Sequence, residues 1–171
     1  MIQPNKAMKL LLLQHKISID DVPANNAYPI WKKQDRAGRP YWGVSDFWHL
    51  DQKGVPASED LSQLEWDGNE VHFDAYAVDQ IPEILRESIG IIKAWMLQLE
   101  HEEPNMQFLI LASYDDGEEL VNKEDFPDGC YSITFRFWAA RGRNTVVNLT
   151  SFEEWEQPAL LAVCNKCTRS L

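Results

Sequence analysis

The sequence predicts an α+β fold: a mostly antiparallel sheet with one long amphipathic helix and a C-terminal helix packed on one face. Three observations carry this. From Tyr131 to Phe137 apolar residues alternate with polar or mixed ones, as a strand with one buried face requires. From Ile81 to Leu99 the apolar residues recur three and four apart, the period of a helix. Short turn sequences separate the strand-like stretches, and strands joined by tight turns pair antiparallel.

Taken in order, Leu10 to Leu13 is a leucine run that suits a buried strand. It falls far short of the roughly 20 residues that cross a bilayer. Gln14, His15 and Lys16 follow it where a signal peptide would carry small residues. Asp20 to Asn26 reads as loop, and Arg36-Ala37-Gly38-Arg39-Pro40 as a turn between two strands, the second from Tyr41 to Trp48. Leu64-Glu65-Trp66 and the stretch from Glu70 to Tyr76 flank Asp67-Gly68-Asn69, which predicts a hairpin.

The helix follows: Ile81, Ile84, Leu85, Ile92, Trp95, Met96 and Leu99 share one side, with Pro82 in the first turn where its missing N–H costs little. Met106 to Ala112 is almost wholly apolar and predicts a strand covered on both faces, near the middle of the sheet. Arg141-Gly142-Arg143-Asn144 reads as a turn pairing the Tyr131 strand with one from Thr145 to Leu149. Ser151 and Glu154 have capping-box spacing and predict the C-terminal helix, with Pro158 bending or restarting it.

No internal repeat, low-complexity tract or Gly/Ser-rich linker interrupts the 171 residues, so one domain over 1–171 is expected. A hydrophobic content of 44% argues against extensive disorder, and seven Trp should supply much of the core. The three Cys cannot all pair with one another, which favours a reducing compartment, the cytoplasm.

Charge is unevenly spread. Residues 54–128 hold 19 acidic and 3 basic side chains, a net −16 against −11 for the whole chain. Such a field repels phosphate backbones, so nucleic acid is excluded as a general partner, whereas a basic protein is attracted. The excess is densest from Tyr114 to Gly129, where Asp115, Asp116, Glu118, Glu119, Glu124, Asp125 and Asp128 face only Lys123 in opposition. This connection is longer than the two to five residues a hairpin needs. Leu120, Val121 and Phe126 punctuate it, giving charged steering around apolar anchors. The alternative for this segment is a solvated loop whose apolar residues pack back on the sheet.

Other constellations carry less. His49-Leu50-Asp51 and His72-Phe73-Asp74 each set an imidazole two residues from a carboxylate, on one face of a strand, as a general base or metal ligand needs. A solvated strand face has the same pattern. Cys164-Asn165-Lys166-Cys167 lacks the partners for a four-ligand zinc site beyond Cys130 and scattered His, and reads as a loosely ordered tail. Arg136, Arg141 and Arg143 near one hairpin tip could meet an anion but more simply keep a turn in water. No nucleophile elbow, phosphate loop or dinucleotide fingerprint is present, so no cofactor is expected.

The resulting expectation is a protein-binding module that captures a basic partner, with an immunity protein blocking a secreted toxin domain as the class that fits best. Its contact residues would be Asp115, Asp116, Glu118, Glu119, Leu120, Glu124, Asp125, Phe126 and Asp128. The rival expectation is a small hydrolase or metal-dependent enzyme using His49, Asp51, His72 or Asp74.

Overall fold

The computed structural model describes residues 1–44, 60–117, 129–141 and 146–164. Its strands are β1 (Ile2–Pro4), β2 (Ile30–Gln34), β3 (Pro40–Val44), β4 (Val71–Ala75), β5 (Phe108–Asp115), β6 (Tyr131–Ala139) and β7 (Ala159–Cys164). Its α-helices are α1 (Lys6–Gln14), α2 (Leu61–Gly68) and α3 (Ile81–Glu102). Five strands form one sheet in the order β1-β7-β5-β6-β4, every pair antiparallel, while β2 and β3 form a separate hairpin. The α+β class with an antiparallel sheet and a long helix is as the sequence predicts. No helix among the described residues is long and apolar enough to cross a membrane.

The long helix lies on one face of the sheet. Leu85, Ile89, Ile92, Trp95 and Leu99 are fully buried there, against Phe108 and Ile110 of β5 and Phe135 and Phe137 of β6. Trp95 stacks at an angle on both phenylalanines, with ring centroids 5.2 and 5.0 Å away. Residue 90 must be small, because a Cβ on Gly90 would come 2.9 Å from the Pro23 carbonyl oxygen of the loop that crosses the helix. As expected, β5 is central and covered on both faces; on the far side of the sheet Leu111 of β5 and Trp138 of β6 cluster with Phe152, Val146, Val147 and Leu149.

Four local expectations are corrected. The leucine run is helical: Asn5 caps α1 by accepting from the Met8 N–H, and Met8 and Leu12 turn inward while Leu10 and Leu13 stay exposed. An unbroken apolar run has no period of its own, so the cap decided its conformation. The hairpin around Asp67-Gly68-Asn69 is also absent. Leu64-Glu65-Trp66 belongs to α2, which Asp60 caps by accepting from the Ser62 and Gln63 N–H groups, and Gly68 ends it.

The C-terminal helix is replaced by a short 3-10 turn, Phe152–Glu154, followed by β7. Ser151 sits at φ 66° with no side-chain cap bond, so the capping-box spacing is unused, and Pro158 leads into a strand instead of bending a helix. Ala159 to Cys164 fills the sheet between β1 and β5, where an all-apolar run is suited. Finally, Val146 to Leu149 form no strand but wrap over the outer face of the sheet.

Of the Cys-x-x-Cys, Cys164 is no loose tail residue: it is buried in β7, and burial pushes its thiol up to about 12. Cys167 lies outside the described residues, as do the turn at 142–145 and the continuation of β3 to Trp48.

Candidate functional site

Two polar constellations flank opposite halves of β6, and they differ in burial. The first is internal. Ser62, Glu65 and Asn69 lie on one face of α2 and its C-terminus, at helical spacing, and all three are buried. Asn69 donates to the Trp42 and Phe137 carbonyls and accepts from the Val44 N–H. Glu65 accepts from the Trp42 and Ala139 N–H groups and, bidentate, from the Arg141 guanidinium at 2.6 and 2.8 Å. Ser62 donates to the Ala139 carbonyl.

These side chains therefore satisfy the backbone of β3 and of β6 where no described strand reaches, and join the β2-β3 hairpin to the main sheet. Burial pushes the Glu65 carboxyl up, and the Arg141 guanidinium with the two backbone donors pulls it down. Its oxygens meet only donors, which is the geometry of a carboxylate. Arg136 is likewise engaged, paired with Glu70 and lying over the Trp66 ring at 4.9 Å. Arg136 and Arg141 are thus spent on internal contacts, and Arg143 lies outside the described residues.

The second constellation is exposed. The strand register sets Ser113, Thr134 and His72 in one cross-strand row, and Asp115, Ser132 and Asp74 in the next, on the sheet face opposite α3. His72 lies between two partners: Nδ1 is 2.7 Å from the Thr134 hydroxyl and Nε2 is 2.8 Å from the Asp74 carboxylate. Tyr76 donates to the other Asp74 oxygen at 3.4 Å, and the Asp74 charge raises the Tyr76 phenol above its ordinary value. Asp115 accepts from the Gly117 N–H, closing the turn that leaves β5. Asp116, also exposed, follows it; burial and then the charges of Asp116 and Asp115 raise Tyr114.

Of the residues the sequence proposes for partner contact, the described ones are Asp115 and Asp116. Glu118, Glu119, Leu120, Glu124, Asp125, Phe126 and Asp128 lie outside the described residues, as do His49 and Asp51. The structure brings His72 and Asp74 together as the spacing predicts, and adds Thr134, Ser132, Tyr76 and Asp115, which sequence reasoning did not group with them. The signal for Ser132 and Thr134 was their alternation along β6; what was missing was the register.

The hydroxyl–imidazole–carboxylate chain through Thr134, His72 and Asp74 lies flat on an open strand face. Among the described residues no three His, Cys, Asp or Glu side chains converge in a way that could hold a metal ion. A groove of about 610 Å³ lies elsewhere, between the Lys16–Asn25 loop and Glu83, Arg86 and Glu87 of α3.

Compared with protein-family models, curated proteins and solved structures, the chain matches none.

Proposed function

We propose that the chain is an acidic, cytoplasmic protein-binding module that captures a basic partner, in the manner of an immunity protein that blocks a nucleic-acid-degrading toxin domain. One observation carries the reading. Asp74 and Asp115 share a cross-strand row on an exposed sheet face, and their hydrogen-bond partners are His72, Tyr76 and the Gly117 N–H, with no Lys or Arg among them. Their charge is directed outward, beside an exposed tyrosine of the type that anchors interfaces.

Asp116 extends this edge, and Glu118, Glu119, Glu124, Asp125 and Asp128 continue the acidic run in sequence. A toxin that degrades nucleic acid needs a basic cleft, because phosphate contacts supply most of its affinity. An acidic surface fills such a cleft and accelerates encounter. Asp115, Asp116, Glu118 and Glu119 would guide the partner, with Leu120 or Phe126 as anchors.

The test is photo-crosslinking in cells from a reactive side chain at position 76, compared with position 97, where Leu97 is exposed on α3. A basic protein captured from 76 and not from 97, and lost in about 0.5 M salt, is expected. Capture that ignores position and salt would contradict the proposal.

A further inference from the structure

Among the described strands β4 closes one edge of the sheet, and its outer side has a defined hydrogen-bonding phase. Phe137 and Ala139 of β6 turn their backbone groups toward α2, on the side of β6 that β4 occupies. Alternate residues of a strand point the same way, so Tyr131, Ile133 and Phe135 bond β4. Their partners Ala75, Phe73 and Val71 are thereby used. His72 and Asp74 must direct their N–H and C=O groups away from the sheet. Tyr76 has the same phase, and its N–H is taken by the Gln80 side chain.

The other edges are less receptive. On β1, the Asn5 N–H bonds the Ala159 carbonyl, so Ile2 and Pro4 face outward; the strand is three residues long and Pro4 has no donor. On β2, the Ile30 N–H and carbonyl are both bonded by the Gln98 side chain, and Lys32 and Lys33 follow. Lysines blunt an edge against pairing and repel a cation. Among the described edge strands, only β4 combines outward backbone groups with acidic side chains.

We infer that a basic partner engages this chain by strand addition: an extended segment of the partner pairs antiparallel with β4, its cationic residues on the face of Asp74 and its apolar residues on the face of Phe73. This rests on the proposed capture of a basic protein and specifies its mode. Antiparallel pairing continues the geometry of every other pair in the sheet. Residues opposite His72 and Asp74 share their face, so the cationic residues are also those whose own N–H groups meet the edge. Phe73 is half-buried and in ring contact with Tyr28, 5.8 Å away, which leaves an apolar margin for the other face.

The phase makes a sharp test possible. Three capped hexapeptides alternating lysine and valine are titrated into the full chain at low salt, with binding read from backbone amide NMR shifts. One is unmodified, one is N-methylated on its lysine amides, and one on its valine amides. The unmodified and valine-methylated peptides should bind and slow amide exchange at His72 and Asp74. The lysine-methylated peptide should bind at least tenfold more weakly. Equal binding by all three, without protection at 72 and 74, would overturn strand addition and leave capture by the acidic face standing. Loss on valine methylation instead would overturn the antiparallel phase. Failure of all three to bind would overturn both ideas.

Discussion

The two polar constellations beside β6 use the same kinds of residue toward opposite ends. Ser62, Glu65 and Asn69 are enclosed, with Arg141 half-buried beside them, and each side-chain polar atom of Glu65 and Asn69 has a backbone or guanidinium partner. His72, Asp74 and Asp115 are exposed and Thr134 is half-buried; Thr134, His72 and Asp74 are bonded in a chain and Asp115 bonds the Gly117 N–H, beside the outer edge of β4. Burial separates the two roles. A polar side chain that completes the backbone of two strands is structural, because leaving it unmatched in the interior costs far more than its bond is worth in water. A polar side chain on an open face costs little to remove and is available for contact.

Glu65→Gln puts an amide where four donors converge and strips Arg141 of its counter-charge; a loss of about 3 kcal/mol is expected by denaturant unfolding. Asn69→Ala leaves two carbonyls and one N–H unmatched, and should cost about 2 kcal/mol in the same measurement. On the exposed side, His72→Ala should change stability by no more than about 0.5 kcal/mol, despite removing two hydrogen bonds. A cost there comparable to that at Asn69 would mean the outer row is structural as well. The smallest effect is electrostatic: Asp74→Asn should bring the Tyr76 titration down toward the ordinary phenol value, followed by the tyrosine absorbance, because the neighbouring charge is its first cause.

The same contrast explains what could be read from the chain alone. Helix α3 was legible because its buried stripe is apolar, Ile84, Leu85, Ile92, Trp95 and Leu99 at helical spacing. Helix α2 was not, because the face it buries is polar, and Asp67-Gly68-Asn69 imitates a hairpin turn while in fact ending a helix. At β7 a chance capping-box spacing outweighed an apolar run that marks an interior strand. His72 and Asp74 could be paired because positions two apart on a strand share a face. Their union with Thr134, Ser132 and Asp115 depended on cross-strand register, which is set by pairing between distant segments and not by any local pattern.

The central claim is that the acidic row on the open sheet face, not net charge in general, holds the partner. It is tested most directly by titration calorimetry of the cross-linked partner, once identified, against two neutralised variants. Asp74→Asn with Asp115→Asn should weaken binding at least tenfold, about 1.4 kcal/mol, with Tm unchanged. Glu83→Gln with Glu87→Gln, which removes the same charge from α3, should leave the affinity within about twofold. Equal weakening by both pairs, or none from the first, would contradict the account.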